Sequence, residues 1–175
     1  MAPDFKKIRA FAFDVDGVMT DGGIQCTGEG DLLRTFDAKD GFAVRMASMH
    51  KYPVAVITGG RSESIRHRFK GSGVPHEDIY LGSTHKILDF MDFCSRHSLD
   101  PSEVMFFGDD IPDIEVMLNC GIGGCPSDAV EEVKAAAGWI SSRPGGKGVI
   151  REAFELVMKA RGDWTFDVDT YKKLF

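Results

Sequence analysis

The side chains best suited to chemistry are carboxylates that close apolar runs. Asp14 and Asp16 follow Ala10-Phe11-Ala12-Phe13, and Asp109 and Asp113 follow Val104-Met105-Phe106-Phe107. Two Asp residues two apart on an extended segment share a face, and a core strand gains nothing from carboxylates at its mouth, so something cationic or electrophilic is expected there. Thr58-Gly59-Gly60 closes another apolar run, Val54-Ala55-Val56-Ile57, and Lys86 falls in the first turn of a predicted helix. A helix N-terminus disfavours a cation unless an anion lies close, which marks Lys86 as a residue with a task.

Carboxylates without a His cluster suit a hard, oxygen-loving ion, and Mg²⁺ is the expected cofactor, with Asp14 and Asp109 as side-chain ligands. Thr58, the N–H groups of Gly59 and Gly60, and Lys86 offer donors for phosphate oxygens. Phosphoryl transfer needs an in-line nucleophile and cancellation of charge on the transferred group. Asp14 is the expected nucleophile, forming an aspartyl phosphate. Asp16, two residues on, is the expected general acid toward the leaving oxygen and then base toward water.

Each element alone has an ordinary alternative: a calcium loop or turn for Asp14-Val15-Asp16-Gly17, a plain turn for Thr58-Gly59-Gly60, a solvated lysine, a capping turn at Gly108-Asp109-Asp110. The conjunction carries the argument, because all four flank predicted strand ends with compatible chemistry. A receiver-like phosphorylated module also combines Asp, Thr, Lys and Mg²⁺, but it has no use for a second carboxyl at the position of Asp16. A catalytically silent assembly domain would have no need of Asp14, Asp16, Lys86 and Asp109 together.

The elements that must position these residues alternate. Strands are predicted at Ala10–Phe13, Val54–Ile57, Ile79–Leu81, Val104–Phe107, around Ile122 and at Trp139-Ile140. Between them lie helices with Phe42, Met46 and Met49 inward, with Ile65 and Phe69 inward after a Ser62 cap, and with Ile87, Met91 and Cys94 inward after a Ser83 or Thr84 cap. Further helices are predicted through Val116 and Met117, from Ser127 to Ala136, and from Val149 onward. This pattern predicts an α/β fold built on an open, mostly parallel sheet flanked by helices, with ligands beyond the carboxyl ends of its strands. Residues 24–36 read as a β-hairpin flap, and residues 162–175 as a C-terminal tail too short for a domain. The 175 residues fit the size of one domain.

A net charge of -6 and the lack of a basic stripe argue against nucleic acid. No apolar run is long enough for a membrane span and the first residues do not form a signal peptide, so a cytoplasmic location without membrane association is expected. Cys26, Cys94, Cys120 and Cys125 lack CxxC spacing and are expected to be reduced, mostly packed thiols rather than zinc ligands or bridges.

Four stretches, taken in order, resemble the motifs of the haloacid dehalogenase superfamily of phosphatases: Asp14-Val15-Asp16-Gly17-Val18-Met19-Thr20-Asp21, Ile57-Thr58-Gly59, Lys86, and Gly108-Asp109-Asp110-Ile111-Pro112-Asp113. The resemblance implies the Rossmann-like fold of that superfamily, a metal also held by the backbone carbonyl of Asp16, and Asp113 supporting the metal from behind. Within it the chain looks most like the capless 3-deoxy-D-manno-octulosonate 8-phosphate phosphatase subfamily. That likeness rests on Thr20-Asp21-Gly22, on Asp37-Ala38-Lys39-Asp40-Gly41 with Arg45 beyond, on Arg68, and on Gly145-Gly146-Lys147-Gly148-Val149-Ile150-Arg151-Glu152. The intervals from Thr20 to Val54 and from Thr58 to Val104 leave no room for a separate cap domain. The resemblance implies a phosphorylated sugar-acid substrate, contacts to it from Asp37–Gly41, Arg45 and Arg68, and a homotetramer in which the hairpin covers a neighbour's site. It also implies that the C-terminal tail can reach such a site. One departure stands out: relatives usually place Arg directly after the Thr-Gly, where this chain has Gly60 followed by Arg61, so either Arg61 replaces it from the next position or the sugar carboxylate is held differently. Nine-carbon 2-keto acid phosphates are the alternative substrates on the same scaffold.

Overall fold

The computed structural model describes residues 3–165 and 167–169. Its main sheet has six strands in the order β5-β4-β1-β6-β7-β8, where β1 is Ala10–Phe13, β4 Val54–Thr58, β5 Ile79–Leu81, β6 Val104–Phe107, β7 Ile122–Cys125 and β8 Trp139–Ile140. Every pairing in it is parallel, so connections must cross over through helices. These are α1 (Ala38–Met49), α2 (Glu63–Gly71), α3 (Lys86–Arg96), α4 (Ile114–Asn119) and α5 (Glu131–Ala136), with α6 (Val149–Arg161) closing the fold. The predicted fold class is therefore the one observed, and among the described residues there is no separate cap domain.

The strands alternate strictly between two cores, as a period of two requires. Phe11 and Phe13 join Phe69 and Phe154 in the core under α1, α2 and α6, while Ala10 and Ala12 join Phe90, Phe93 and Phe106 under α3, α4 and α5. The chain builds outward from β1 to β4 and β5, then returns to β6 on β1's other side. That reversal makes the carboxyl end of β1 the switch point, where a crevice opens because neighbouring crossovers depart in opposite directions.

Helix faces depart from expectation in two places. In α3 the buried residues are Lys86, Phe90, Phe93 and Cys94, while Met91 is exposed and Ile87 half-buried. The helix starts at Lys86 after His85, not at a Ser83 or Thr84 cap, and burial of Lys86 turns its stripe toward the two Phe residues. In α1 the small residues Gly41, Ala43 and Ala47 face inward with Val44 and Met46, and Phe42 is half-buried beneath the Arg151 guanidinium. The expected helix from Ser127 is shorter, beginning at Glu131, and Ser62 makes no side-chain cap.

The hairpin predicted at 24–36 forms from β2 (Gln25–Cys26) and β3 (Leu32–Leu33), with all four strand residues exposed. Cys94 and Cys125 are buried and Cys26 is exposed, all as free thiols. Among the described residues no helix is long and apolar enough to cross a membrane. The tail expectation falls partly on residues 166 and 170–175, outside the described residues.

Asp40 ties α1 to α6. Its buried carboxylate accepts N–H bonds from Gly148 at 3.1 Å and Arg151 at 2.7 Å, capping the N-terminus of α6. Burial pushes its pKa up to about 6 despite those bonds. A carboxyl whose folded pKa lies above its unfolded value binds protons more tightly when folded, so stability falls as pH rises through that window. Asp40→Asn removes this titration. Between pH 4.5 and 7 the unfolding free energy of wild type should drop relative to the variant by up to ~2 kcal/mol. Urea denaturation at both pH values checks this, and a gap between the two proteins that stays constant with pH would rule it out.

Candidate active site

The site is assembled where β1 and β6 end. Asp14 continues β1, its N–H donating to the Phe107 carbonyl at 2.9 Å, so the last rung of the ladder fixes its backbone. Its Oδ1 accepts the Val15 N–H at 2.6 Å, and its Oδ2 lies 2.8 Å from Lys86 Nζ. Lys86, brought in by the start of α3, also donates to Asp113 Oδ1 at 2.6 Å. The other Asp113 oxygen accepts N–H bonds from Asp109 at 3.2 Å and Asp110 at 3.4 Å, which curls the loop after β6 around it.

Two close approaches make this loop possible. Gly17 has φ +86°, and a Cβ on it would lie 2.0 Å from Asp109 Oδ2, so glycine is required both for the turn and for the carboxylate beside it. A Cβ on Gly108 would lie 2.1 Å from that of Asp113. Thr20, fully buried, accepts N–H bonds from Gly17 and Gly22 and holds the turn after Asp16 in place.

Asp14, Asp109 and Asp113 each offer a carboxylate oxygen within 4.8 Å of the others. Three carboxylates face one ammonium, and the imbalance registers at Asp109 and Asp113. Burial, then the charges of Asp14 and Asp113, push Asp109 up to about 7. Burial followed by the Asp14 charge also raises Asp113, in spite of its bond to Lys86. Burial works against the charge of Lys86, but Asp14 and Asp113 outweigh it and hold the ammonium above its ordinary value. A divalent cation would relieve this surplus charge, and an all-oxygen donor set fits a hard ion.

These residues line a cleft of about 530 Å³ together with Asp16, Gly22, Thr58, Gly59, Gly60, Ser83 and Thr84. The four segments expected to converge therefore do so: Asp14/Asp16, Thr58, Lys86 and Asp109/Asp113. Thr58 is buried, and its hydroxyl accepts the Gly60 N–H at 3.1 Å. A buried ammonium, the Thr58 hydroxyl and a carboxylate at a strand end can together receive a phosphoryl group, whereas the Gly60 N–H, expected as a further donor, is already engaged by Thr58.

The remaining expected substrate contacts lie elsewhere in the chain. Asp37 caps α1 through the N–H groups of Lys39 and Asp40. Ala38 is exposed at the start of α1, and Lys39 lines a separate cavity of about 290 Å³ with Arg143, Lys147, Arg151 and Lys159. Asp40 is engaged by the backbone of α6, and Gly41 is overlain by the guanidinium of Arg68. Arg68 donates to Ser72 and lies over the Phe36 ring. Arg45 approaches Gly73, and Arg61 runs alongside Gly82. None of these side chains lines the acidic cleft.

Sequence reasoning missed Arg34. Its Nε and Nη2 donate to the two Asp16 oxygens at 2.6 and 2.9 Å. The bond to Asp16 raises the guanidinium's pKa further against the effect of burial. Its position after two exposed leucines carried no signal; only its being the lone cation of residues 24–36 could have drawn attention.

A profile of the haloacid dehalogenase-like hydrolases matches residues 60–152, which takes in Lys86, Asp109 and Asp113. The chain is 32% identical over 157 residues to the 3-deoxy-D-manno-octulosonate 8-phosphate phosphatase of Escherichia coli K12, covering 90% of this chain and 82% of that protein. The 3-deoxy-D-manno-octulosonate 8-phosphate phosphatase of Moraxella catarrhalis, solved with a magnesium ion, a phosphate ion and a KDO molecule, superposes with a TM-score of 0.87 at 29% identity, covering 97% of this chain and 94% of that one. The cobalt-bound deoxy-D-mannose-octulosonate 8-phosphate phosphatase of Haemophilus influenzae gives 0.88 at 29% identity, covering 95% and 96%. Four motifs in order, a parallel sheet with its acidic cleft at the switch point, and this likeness along nearly the whole chain lead to one family: the chain belongs to the haloacid dehalogenase-like hydrolases, and it is a phosphatase.

Proposed function

We propose that the chain hydrolyses 3-deoxy-D-manno-octulosonate 8-phosphate to the free sugar acid and phosphate, as a Mg²⁺-dependent step of lipopolysaccharide sugar synthesis in the cytoplasm. The chemistry rests on one observation, an ammonium buried between Asp14 and Asp113 beside a third carboxylate at the open end of β1. The choice of substrate is supported by the relatives' own activity.

In this reading Asp14 attacks phosphorus in line and becomes an aspartyl phosphate, while Asp16 gives a proton to the departing C8 oxygen. Asp16 then takes a proton from the water that cleaves the acyl phosphate and regenerates Asp14. Lys86, the Thr58 hydroxyl and the Gly59 N–H hold the equatorial oxygens. Asp14, Asp109 and the Asp16 carbonyl would hold Mg²⁺, with Asp113 orienting Lys86 and the Asp109 loop; the ion supplies charge neutralisation at the transferred phosphoryl group. Arg61 and Arg68, outside the cleft of one subunit, are candidates for the sugar carboxylate once the protein is assembled as a homotetramer. The exposed Ile24, Leu32 and Leu33 of the hairpin are the apolar surface such an assembly would cover.

Asp14→Asn should lower turnover by on the order of 10⁴-fold with the oligomer unchanged in sedimentation; an active variant would remove the nucleophile from this scheme. Because Asp109 titrates near 7 in the metal-free site, protons and metal compete for it. Mg²⁺ affinity should weaken from pH 8 to pH 6, and binding should release protons. Calorimetry in two buffers of different ionisation enthalpy reads both, and pH-independent binding without proton release would refute the metal assignment. A side-by-side comparison of kcat/KM for eight-carbon and nine-carbon 2-keto-3-deoxy acid phosphates tests the substrate; a preference for the nine-carbon compound would replace it.

A further inference from the structure

Arg34 is the only cation of the hairpin, and the burial of its side chain contrasts with the exposed hairpin strands. Gln25, Cys26, Leu32 and Leu33 are exposed, yet the Arg34 side chain is 2% exposed. Two of its fork N–H groups meet the two oxygens of one carboxylate, Asp16, and Nη1 donates to the Leu32 carbonyl at 3.3 Å. Room for the guanidinium comes from Gly60. A Cβ at that position would stand 3.2 Å from Arg34 Nη2 and 2.8 Å from Ile65 Cδ1. Desolvating such a pair is costly unless the geometry is bidentate, and here it is.

We propose that Arg34 is a positioning residue for Asp16, and that through it the hairpin completes the active site of its own subunit. Asp16 sits at the mouth of the cleft with two free side-chain torsions, and a proton-transferring carboxyl must come within hydrogen-bond reach of the leaving oxygen. The guanidinium fork fixes both torsions at once. A second role, anchoring a hairpin whose strands are only two residues long, follows from the same bond but makes different predictions.

The proposal rests on Asp16 acting as acid and base, and the leaving group separates it from mere anchoring. A sugar alkoxide needs a proton to depart; p-nitrophenolate does not. In the full-length protein, Arg34→Gln should lower kcat/KM for 3-deoxy-D-manno-octulosonate 8-phosphate by on the order of 10-fold and for p-nitrophenyl phosphate by much less. Arg34→Lys, which keeps the charge but loses the planar fork, should recover part of the loss. In an Asp16→Asn background, followed by single turnover, Arg34→Gln should cost nothing further, because a residue acting through Asp16 has nothing left to act on. Equal losses on both substrates, a full additional loss in the Asp16→Asn background, or unchanged kinetics would each overturn it. Should Arg34→Gln unfold the chain, Arg34→Lys carries the same comparison. The wild-type rate on the sugar phosphate judges the substrate separately, since the Arg34 comparison runs equally on any alkyl phosphate the chain turns over.

Discussion

The organising constraint is a deliberate charge imbalance: three carboxylates drawn within ligand distance of one another against a single ammonium. Left alone, such a cluster opposes folding, since carboxylates in contact raise one another's affinity for protons and burial adds to the effect. The elevated pKa of Asp109 is the visible sign of that stress. A site that is strained when empty of cations is pre-arranged for a dication and for the phosphate that such an ion accompanies. The rest of the molecule holds the arrangement against its own repulsion.

The resistance comes from rigid parts meeting at one edge. β1 is flanked on both sides by fully buried strands, so Asp14 cannot retreat without unzipping the centre of the sheet. Asp113 is fastened three ways, to Lys86 and to two backbone N–H groups of its own loop. Beneath the first turn, Gly145 and Gly146 pack so tightly that a Cβ on Gly145 would fall 2.0 Å from the Gly17 carbonyl. The glycine-rich stretch before α6 thus serves as the floor of the Asp14 loop, far from it in sequence but pressed against it in space.

What could be read from sequence was what local pattern dictates. Unbroken apolar runs such as Val104–Phe107 announced strands buried on both faces, and the carboxylates ending them announced a site, because neither feature needs knowledge of long-range packing. Helix faces were less legible. In α3 an aliphatic stripe through Ile87 and Met91 competed with Phe90 and Phe93, and the burial of Lys86, set by Asp14 and Asp113 in other elements, decided between them. Least legible were the residues whose partners lie far along the chain. Asp40 reads as one member of a charged loop until Gly148 and Arg151 arrive over it, and Arg34 reads as surface until Asp16 and the bare flank of Gly60 are seen together.

That last juxtaposition bears on how a site without a cap domain works. A phosphoryl-transfer site open at a sheet edge has its metal and phosphate ligands on rigid elements, but the carboxylate proposed as its acid–base group, Asp16, stands on the turn after β1, where solvent competes for it. An external cap would shield and orient such a group. Here a fork from a short hairpin engages both oxygens of Asp16 while leaving its side chain 25% exposed toward the cleft. Gly60 has no side chain to crowd the fork, and Arg34 is not among the residues lining the cleft, so the pairing leaves the approach to Asp14 open. Orientation of Asp16 and access to Asp14, which conflict when one lid must supply both, are thereby compatible.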